Sequence, residues 1–216
     1  MGEWLIEQYI FKHPFTCLMV GPSGCGKTNL LVSILQNKDL LINKDIDNII
    51  YCYKEYQESY DLIKTYCSNI YFHHGIYDKP LNKSFRNLII FDDLMKETIE
   101  NSFIQDLFTI ESHHRNTSVI LITHNLFPKG KYARTISLNT NNLILFNNPR
   151  DKTPISVLAR QMFPENPSFL MDVYEDAAEN TKYGYVFIDF RQDTLSKNRI
   201  QTNIAKEKIR IIYTLK

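Results

Sequence analysis

Residues 21–28 of the chain read Gly21, Pro22, Ser23, Gly24, Cys25, Gly26, Lys27 and Thr28. They fit the pattern G-x-x-x-x-G-K-[ST], and they lie between an apolar run at 16–20 and a helical pattern at 27–36. Glycines at these spacings let the backbone curl so that its N–H groups point inward at the start of a helix, where they bind anions. The eight residues are therefore predicted to hold the phosphates of a nucleoside triphosphate.

Two side chains of this loop have predicted roles of their own. Lys27 supplies a mobile positive charge for the β- and γ-phosphates, and the Thr28 hydroxyl is a hard oxygen ligand of the kind that Mg²⁺ prefers. Only 7 of the 216 residues are glycine, so such a match arises by chance in roughly one chain in a few hundred. ATP and Mg²⁺ are the expected cofactors.

Two carboxylates follow the aliphatic run 87–91, which is predicted to be a central strand. Ligands of parallel sheets bind beyond the carboxyl ends of the strands, so Asp92 and Asp93 are expected beside the phosphates. Neighbours on a strand point in opposite directions, which predicts different roles. Asp92 is assigned to Mg²⁺, directly or through water, and Asp93 to orienting or deprotonating the attacking water. The alternative is that Asp93 only caps the next helix.

The spacing of these motifs narrows the class of enzyme. About 65 positions separate Lys27 from Asp92, with at least one predicted strand between them. This spacing suits P-loop enzymes that have a strand inserted between the loop strand and the acidic strand, and it argues against compact nucleotide kinases. The Asn-Lys-x-Asp motif of GTPases is absent from the sequence.

The apolar run 118–123 also ends in polar residues. A neutral amide there can hydrogen-bond the γ-phosphate or the attacking water, so Asn125 is predicted to sense hydrolysis, with Thr123 as the alternate. Arg115 precedes this run and is the first candidate for a guanidinium that acts on the nucleotide of a neighbouring subunit. Arg134 and Arg150 are the competing arginines.

Short apolar runs alternate with helical patterns along most of the chain. Further strands are predicted at 47–53, 69–73, 142–146 and 183–190, and helices at 56–67, 97–112, 154–162 and 169–178. This alternation is typical of a parallel sheet covered on both faces. The predicted fold class is α/β: a three-layer P-loop NTPase of the RecA/ASCE-like kind, with a central, mostly parallel sheet flanked by helices. Residues 1–190 form the predicted ATPase domain, and 191–216 form a basic arm or a final strand packed on it.

Composition sets further limits. The net charge is only +1, but residues 197–216 carry six basic side chains and one acidic one. Four cysteines without a C-x-x-C pair suit a reducing compartment. No apolar stretch approaches the roughly 18 residues that span a bilayer, so a soluble intracellular protein without a membrane partner is expected. The histidine doublets at 73–74 and 113–114 are not expected to bind metal, because sequence neighbours point in different directions.

Several motifs together resemble one family. They are His13-Pro-Phe-Thr before the loop, Phe91-Asp-Asp-Leu, and the segments 114–130, 134–139, 145–152, 158–164, 183–189 and 199–204. From about residue 12 to about residue 204 the chain is similar to the viral genome-packaging ATPases of the FtsK/HerA superfamily, in the branch of poxviruses, virophages and Polinton-like elements. Many members have Glu after the metal-binding Asp, where this chain has Asp93.

The resemblance implies ATP hydrolysis in a homo-oligomeric ring, a pentamer or hexamer, that pumps double-stranded DNA into a preformed capsid. The implied partners are double-stranded DNA and proteins of the capsid portal vertex, and the implied location is the host cytoplasm or nucleus, or the virion. Loops that line the ring would contact DNA phosphates, which gives salt-sensitive, non-specific binding. The nominated contacts are Lys79, Lys83, Lys129 and Lys131, with Arg86 and Arg134 beside them.

Two other functions stay open. The first is another P-loop DNA motor, either a helicase or a conjugation-type pump. The second is a nucleotide-dependent assembly scaffold that binds ATP without hydrolysing it.

Overall fold

The computed structural model describes residues 9–109, 116–179, 183–205 and 209–215. Its strands in these ranges are β1 (Thr16–Val20), β2 (Asn48–Tyr53), β3 (Ile70–His74), β4 (Asn87–Asp92), β5 (Thr117–Thr123), β6 (Asn142–Phe146), β7 (Tyr185–Asp189), β8 (Ile200–Thr202) and β9 (Ile211–Tyr213). Its helices there are α1 (Lys27–Gln36), α2 (Lys38–Leu41), α3 (Ser59–Tyr66), α4 (Met95–Ile99), α5 (Ser102–Phe108), α6 (Ala133–Leu138), α7 (Thr153–Met162) and α8 (Ser168–Glu179), with a 3₁₀ turn at Ser196–Asn198. None of these helices is long and apolar enough to span a bilayer.

All of these strands belong to one sheet, in the order β3-β2-β4-β5-β1-β6-β7-β8-β9. The first six strands of that order are parallel to one another. The last three run antiparallel, each to the strand before it. The sheet is therefore mostly parallel, which confirms the predicted fold class.

Strand residues alternate between two cores, one on each face of the sheet. On β4, Leu88 and Ile90 lie in the core that includes α1 and α3, whereas Ile89 and Phe91 lie in the core that includes α5, α7 and α8. Every residue of β4 is buried. Burial on both faces explains why this strand is almost entirely apolar instead of alternating with polar residues. Helices on both faces make the three predicted layers.

The order of the strands determines where a ligand can bind. β1 lies between β5 and β6, and β5 separates it from β4. In the sheet, β5 is thus the strand between the loop strand and the acidic strand, whereas β2 and β3, which lie between Lys27 and Asp92 in the sequence, are placed beyond β4. After β1 the chain forms β2 to β5 on one side of β1, and it then forms β6 on the other side. At such a change of direction a crevice opens beyond the carboxyl end of the strand, here β1. The loop 21–28 begins at this crevice.

The prediction of one helix over 97–112 is wrong in its described part, where α4 and α5 replace it. The break has a local cause. Asn101 adopts an extended conformation, and its side chain accepts a hydrogen bond from the backbone N–H of Phe103 at 2.9 Å, so it caps a new helix. Residues 110–112 of the predicted helix lie outside the described residues. The short helices α2 and α6 were not predicted.

Candidate nucleotide-binding site

The loop 21–28 is bonded to the end of β5 and depends on its glycines. The N–H of Gly21 donates to the carbonyl of Thr123 at the end of β5, at 3.1 Å. Gly24 and Gly26 have φ values of 76° and 100°, a left-handed conformation that side chains disfavour. A Cβ atom on Gly21 would lie 2.7 Å from the Cβ of Phe146. Gly21 and Gly26 are therefore needed where the loop pattern places them, and Gly24 is favoured by the conformation of the same loop.

Lys27 lies in the first turn of α1 and is 9% exposed. Its Nζ donates to the carbonyls of Gly21 and Pro22, at 2.7 and 2.8 Å. Burial lowers the pKa of the ammonium group, while nearby Cys25, Asp92 and Asp93 act to raise it. The positive charge is thus held against the phosphate loop, where the loop pattern requires it.

The remaining residues of the loop surround this charge. Cys25 is half-buried, and burial raises the pKa of its thiol. Pro22 and Thr28 are half-buried, and Ser23 and Gly24 are exposed. Thr28 follows Lys27 in the first turn of α1, so its hydroxyl lies at the helix end that favours anions.

Asp92 ends β4 and is 5% exposed. Its Oδ2 atom accepts hydrogen bonds from the hydroxyl groups of Tyr51, at 2.6 Å, and Tyr60, at 3.0 Å. Burial raises the pKa of both hydroxyls, and the Asp92 carboxylate raises them further, so both phenols keep the protons that they donate. Two donors on one oxygen fix the orientation of the carboxylate. Sequence reasoning missed this pair of tyrosines, because nothing in the spacing relates Tyr51 or Tyr60 to Asp92.

Asp93 differs from Asp92 in conformation and exposure. Its φ is 56°, a left-handed value that aspartate tolerates better than most residues do. Its side chain is 61% exposed, and Oδ1 lies 3.3 Å from Nε2 of His124. The two carboxylates therefore have different surroundings, one buried and fixed by phenols, the other open to solvent.

His124 follows β5 and links the acid to the loop. Its Nδ1 lies 3.3 Å from the carbonyl oxygen of Gly21 and 3.5 Å from Nζ of Lys27, while Nε2 faces Asp93. Asn125, the predicted sensor, uses its side-chain oxygen to accept from the N–H of Phe127 at 3.0 Å. Sequence reasoning missed His124, whose side chain contacts both Lys27 and Asp93.

The arginine predictions have different outcomes. Arg115 lies outside the described residues. Arg134 and Arg150 are exposed. Arg86, nominated with the DNA-contacting lysines, pairs with both oxygens of Asp47, at 3.0 and 3.1 Å, and these hydrogen bonds lower the pKa of that carboxyl.

The four nominated lysines are all exposed. Lys83 lies near the amino end of β4, since Asn87 donates to the carbonyl of Asn82 at 3.1 Å. Lys129 and Lys131 follow β5 at the opposite edge of the sheet. Lys83 is therefore at the edge of the sheet away from the phosphate loop, whereas Lys129 and Lys131 follow a strand that ends at the same edge as the loop.

The residues at this edge fit a nucleotide and its metal. The loop offers backbone amides at a helix start together with the Lys27 ammonium, which suits phosphates. Thr28 and Asp92 offer a hydroxyl and a carboxylate, the hard oxygen donors that Mg²⁺ takes. The hydroxyl groups of Tyr51 and Tyr60 both donate to Oδ2 of Asp92, so they would orient this carboxylate for a metal ion without binding the ion themselves.

No protein-family model matches the chain, and no curated protein sequence matches it. Among solved structures, the genome packaging NTPase B204 from Sulfolobus turreted icosahedral virus 2, in complex with ATP-gammaS, aligns with a TM-score of 0.54. The alignment covers 87% of this chain and 96% of B204, at 14% sequence identity. The chain therefore shares the P-loop NTPase fold of B204.

A second solved structure agrees. The DNA-packaging ATPase B204 from Sulfolobus Turreted Icosahedral Virus aligns with a TM-score of 0.52, over 94% of this chain and 98% of that one, at 12% identity. The likeness concerns the fold, and it confirms the predicted P-loop NTPase fold class. It also agrees with the resemblance to packaging ATPases that the sequence motifs indicate.

Proposed function

We propose that this chain hydrolyses ATP to move double-stranded DNA into the capsid of a virus or virus-like element. The observation that carries the proposal is the junction made by His124, which contacts the phosphate-loop lysine Lys27 on one side and the carboxylate of Asp93 on the other. A loop for phosphates and an acid for water are thereby joined at one edge of the sheet. The packaging-type motifs and the fold shared with B204 favour DNA packaging among the uses of ATP.

The hydrolytic step assigns one task to each group. Lys27 exchanges its bonds to the Gly21 and Pro22 carbonyls for phosphate oxygens, since a charged acceptor gives the stronger bond. Thr28 and Asp92 would hold Mg²⁺, which neutralises charge on the β- and γ-phosphates. Asp93 is exposed, so it can reach a water molecule and orient it or take its proton.

His124 keeps Oδ1 of Asp93 in position, and its contacts with Gly21 and Lys27 couple a movement of Asp93 to the phosphate loop. Asn125 remains the other candidate for sensing the γ-phosphate.

DNA movement requires parts that one subunit does not supply. The chain is proposed to act as a homo-oligomeric ring, a pentamer or hexamer, docked on proteins of the capsid portal vertex. Arg115 is proposed to act on a neighbour's nucleotide, with Arg134 and Arg150 as alternatives. Lys129 and Lys131 are the stronger DNA candidates, because they follow the strand that carries His124. Lys79 and Lys83 stay proposed contacts on a separate segment.

The test is phosphate release by the full chain, with and without duplex DNA. Wild-type protein should release phosphate faster when duplex DNA is present. Lys27→Ala should lower turnover more than about a hundredfold, because losing the phosphate contact costs ~3 kcal/mol in the transition state. Lys44→Ala removes an exposed lysine and serves as the matched control. Wild-type turnover in Lys27→Ala would show that the site is assigned wrongly.

Two further readouts separate the other functions. A helicase would displace a labelled strand from a duplex, whereas a packaging motor moves along the duplex without unwinding it. An assembly scaffold would bind ATP tightly and release no phosphate, even with duplex DNA present. The mass of the assembly in ATP and Mg²⁺ tests the proposed ring.

A further inference from the structure

Gly26 is covered by an aromatic ring. A Cβ atom built on Gly26 would lie 2.8 Å from Cγ and 2.9 Å from Cβ of Tyr183. Gly26 is the residue that precedes α1, so the ring rests against the helix end of the phosphate loop. Tyr183 nevertheless keeps 39% of its surface exposed. One side of the ring packs on the loop, and the side chain remains open to solvent.

The backbone beside Tyr183 is held in place. A Cβ atom on Gly184 would lie 2.1 Å from the carbonyl oxygen of Ala177, so this strand entry packs directly on α8. The carbonyl of Gly184 also accepts from the N–H of Asn147, at 3.1 Å, just after β6. These contacts restrain the backbone next to Tyr183.

The sheet gives the bound nucleotide a direction. Asp92 ends β4 and Asp93 follows it, and β4 lies two strands from β1 on one side. Tyr183 precedes β7, which lies two strands from β1 on the other side. Because β7 is antiparallel to β6, its first residue lies at the carboxyl edge of the parallel strands. Hydrolysis places the γ-phosphate near the acids and the metal. The nucleoside then extends toward β6 and β7, which is where Tyr183 lies.

We propose that Tyr183 stacks on the base of the bound nucleoside triphosphate. The proposal rests on the proposed function, since the acids define which end of the ligand lies where. Every base has a π-face, so stacking adds affinity for nucleotides without selecting one base. Tyr183 therefore contributes to the binding of ATP and adds nothing to the binding of a bare triphosphate.

The experiment compares two ligands by calorimetry in Mg²⁺: a non-hydrolysable ATP analogue and inorganic tripolyphosphate. Tyr183→Ala should weaken binding of the analogue between about 5-fold and about 150-fold, the range that alanine substitution of stacking residues gives. Tyr183→Phe should bind it like wild type. Both variants should bind tripolyphosphate like wild type, which also shows that the loop is folded. Tyr66→Ala, which removes another exposed tyrosine, is the matched control.

Unchanged binding of the analogue by Tyr183→Ala would refute stacking. An equal loss for both ligands would also refute it, since the ring would then only support the loop. Wild-type protein that bound neither ligand would overturn the proposed function and the base site with it. Wild-type protein that bound both equally well would overturn the base site alone.

Discussion

Replacing Tyr51 with Phe removes one hydroxyl group and keeps the ring. That ring stacks on Phe72 with 5.2 Å between centroids, and it packs against Tyr60 at 4.7 Å, so the side chain should stay in place. The lost hydroxyl donates to the Asp92 carboxylate at 2.6 Å. Hydrogen bonds to charged groups contribute about 1.5 to 3 kcal/mol. Tyr60 still donates to the same oxygen at 3.0 Å, so the lower figure applies.

A loss of about 1.5 kcal/mol lowers the Tm of a chain this long by about 3 to 6 °C. The measurement is thermal unfolding of wild type, Tyr51→Phe, Asp92→Asn and the double variant. Asp92→Asn keeps the shape and removes the charge, so the effect of Tyr51→Phe should shrink in that background by about 1 kcal/mol. Tyr71→Phe, at an exposed tyrosine on the edge strand β3, should leave Tm unchanged. Additive effects of Tyr51→Phe and Asp92→Asn would refute the reasoning, because the hydroxyl would then act on something other than that carboxylate.

His124→Ala should lower ATP turnover by about 10- to 100-fold, the loss expected when one positioned group leaves the transition state, whereas Asn125→Ala should lower it less. A steady-state assay of both variants decides between the two residues, and a larger loss in Asn125→Ala would favour Asn125 as the sensor. His13 is 4% exposed and contacts Ser118 at 2.7 Å, and its burial lowers its pKa, so the folded state favours the neutral ring. Its contribution to stability is present above the unfolded pKa and is lost as the pH falls, so Tm should drop between about pH 7.5 and about pH 5.5, and less so in His13→Gln. An equal drop in that variant would place the pH dependence elsewhere.

The phosphate loop and the acidic strand were predictable because each is a local pattern with a local cause. Glycines at fixed spacing dictate a turn, and an aliphatic run ending in two aspartates dictates a buried strand with acids at its end. The alternation of apolar runs with helical patterns also predicted a sheet covered by helices on both faces. The predicted strands at 47–53 and 142–146 match β2 and β6 to within one residue.

The remaining features depend on contacts between distant segments. Tyr51 and Tyr60 reach Asp92 only because β2 pairs with β4 and α3 packs over them, and no pattern in the sequence encodes that meeting. The prediction of Asn125, with Thr123 as the alternate, did not single out His124, since which side chain faces the loop depends on the turn after β5. The left-handed φ of Asp93 is likewise invisible in the sequence, although it separates the two acids.

The position of β4 inside the sheet has a consequence for local opening of the molecule. Its backbone is hydrogen-bonded to β2 on one side and to β5 on the other, and every residue in it is buried. Segments of this kind exchange their amide hydrogens only in rare, nearly global unfolding events, whereas solvent-exposed turns open readily. Asp92 thus belongs to a strand whose amides are expected to exchange slowly. Asp93 and His124 lie in exposed turns, so their side chains can move without opening β4.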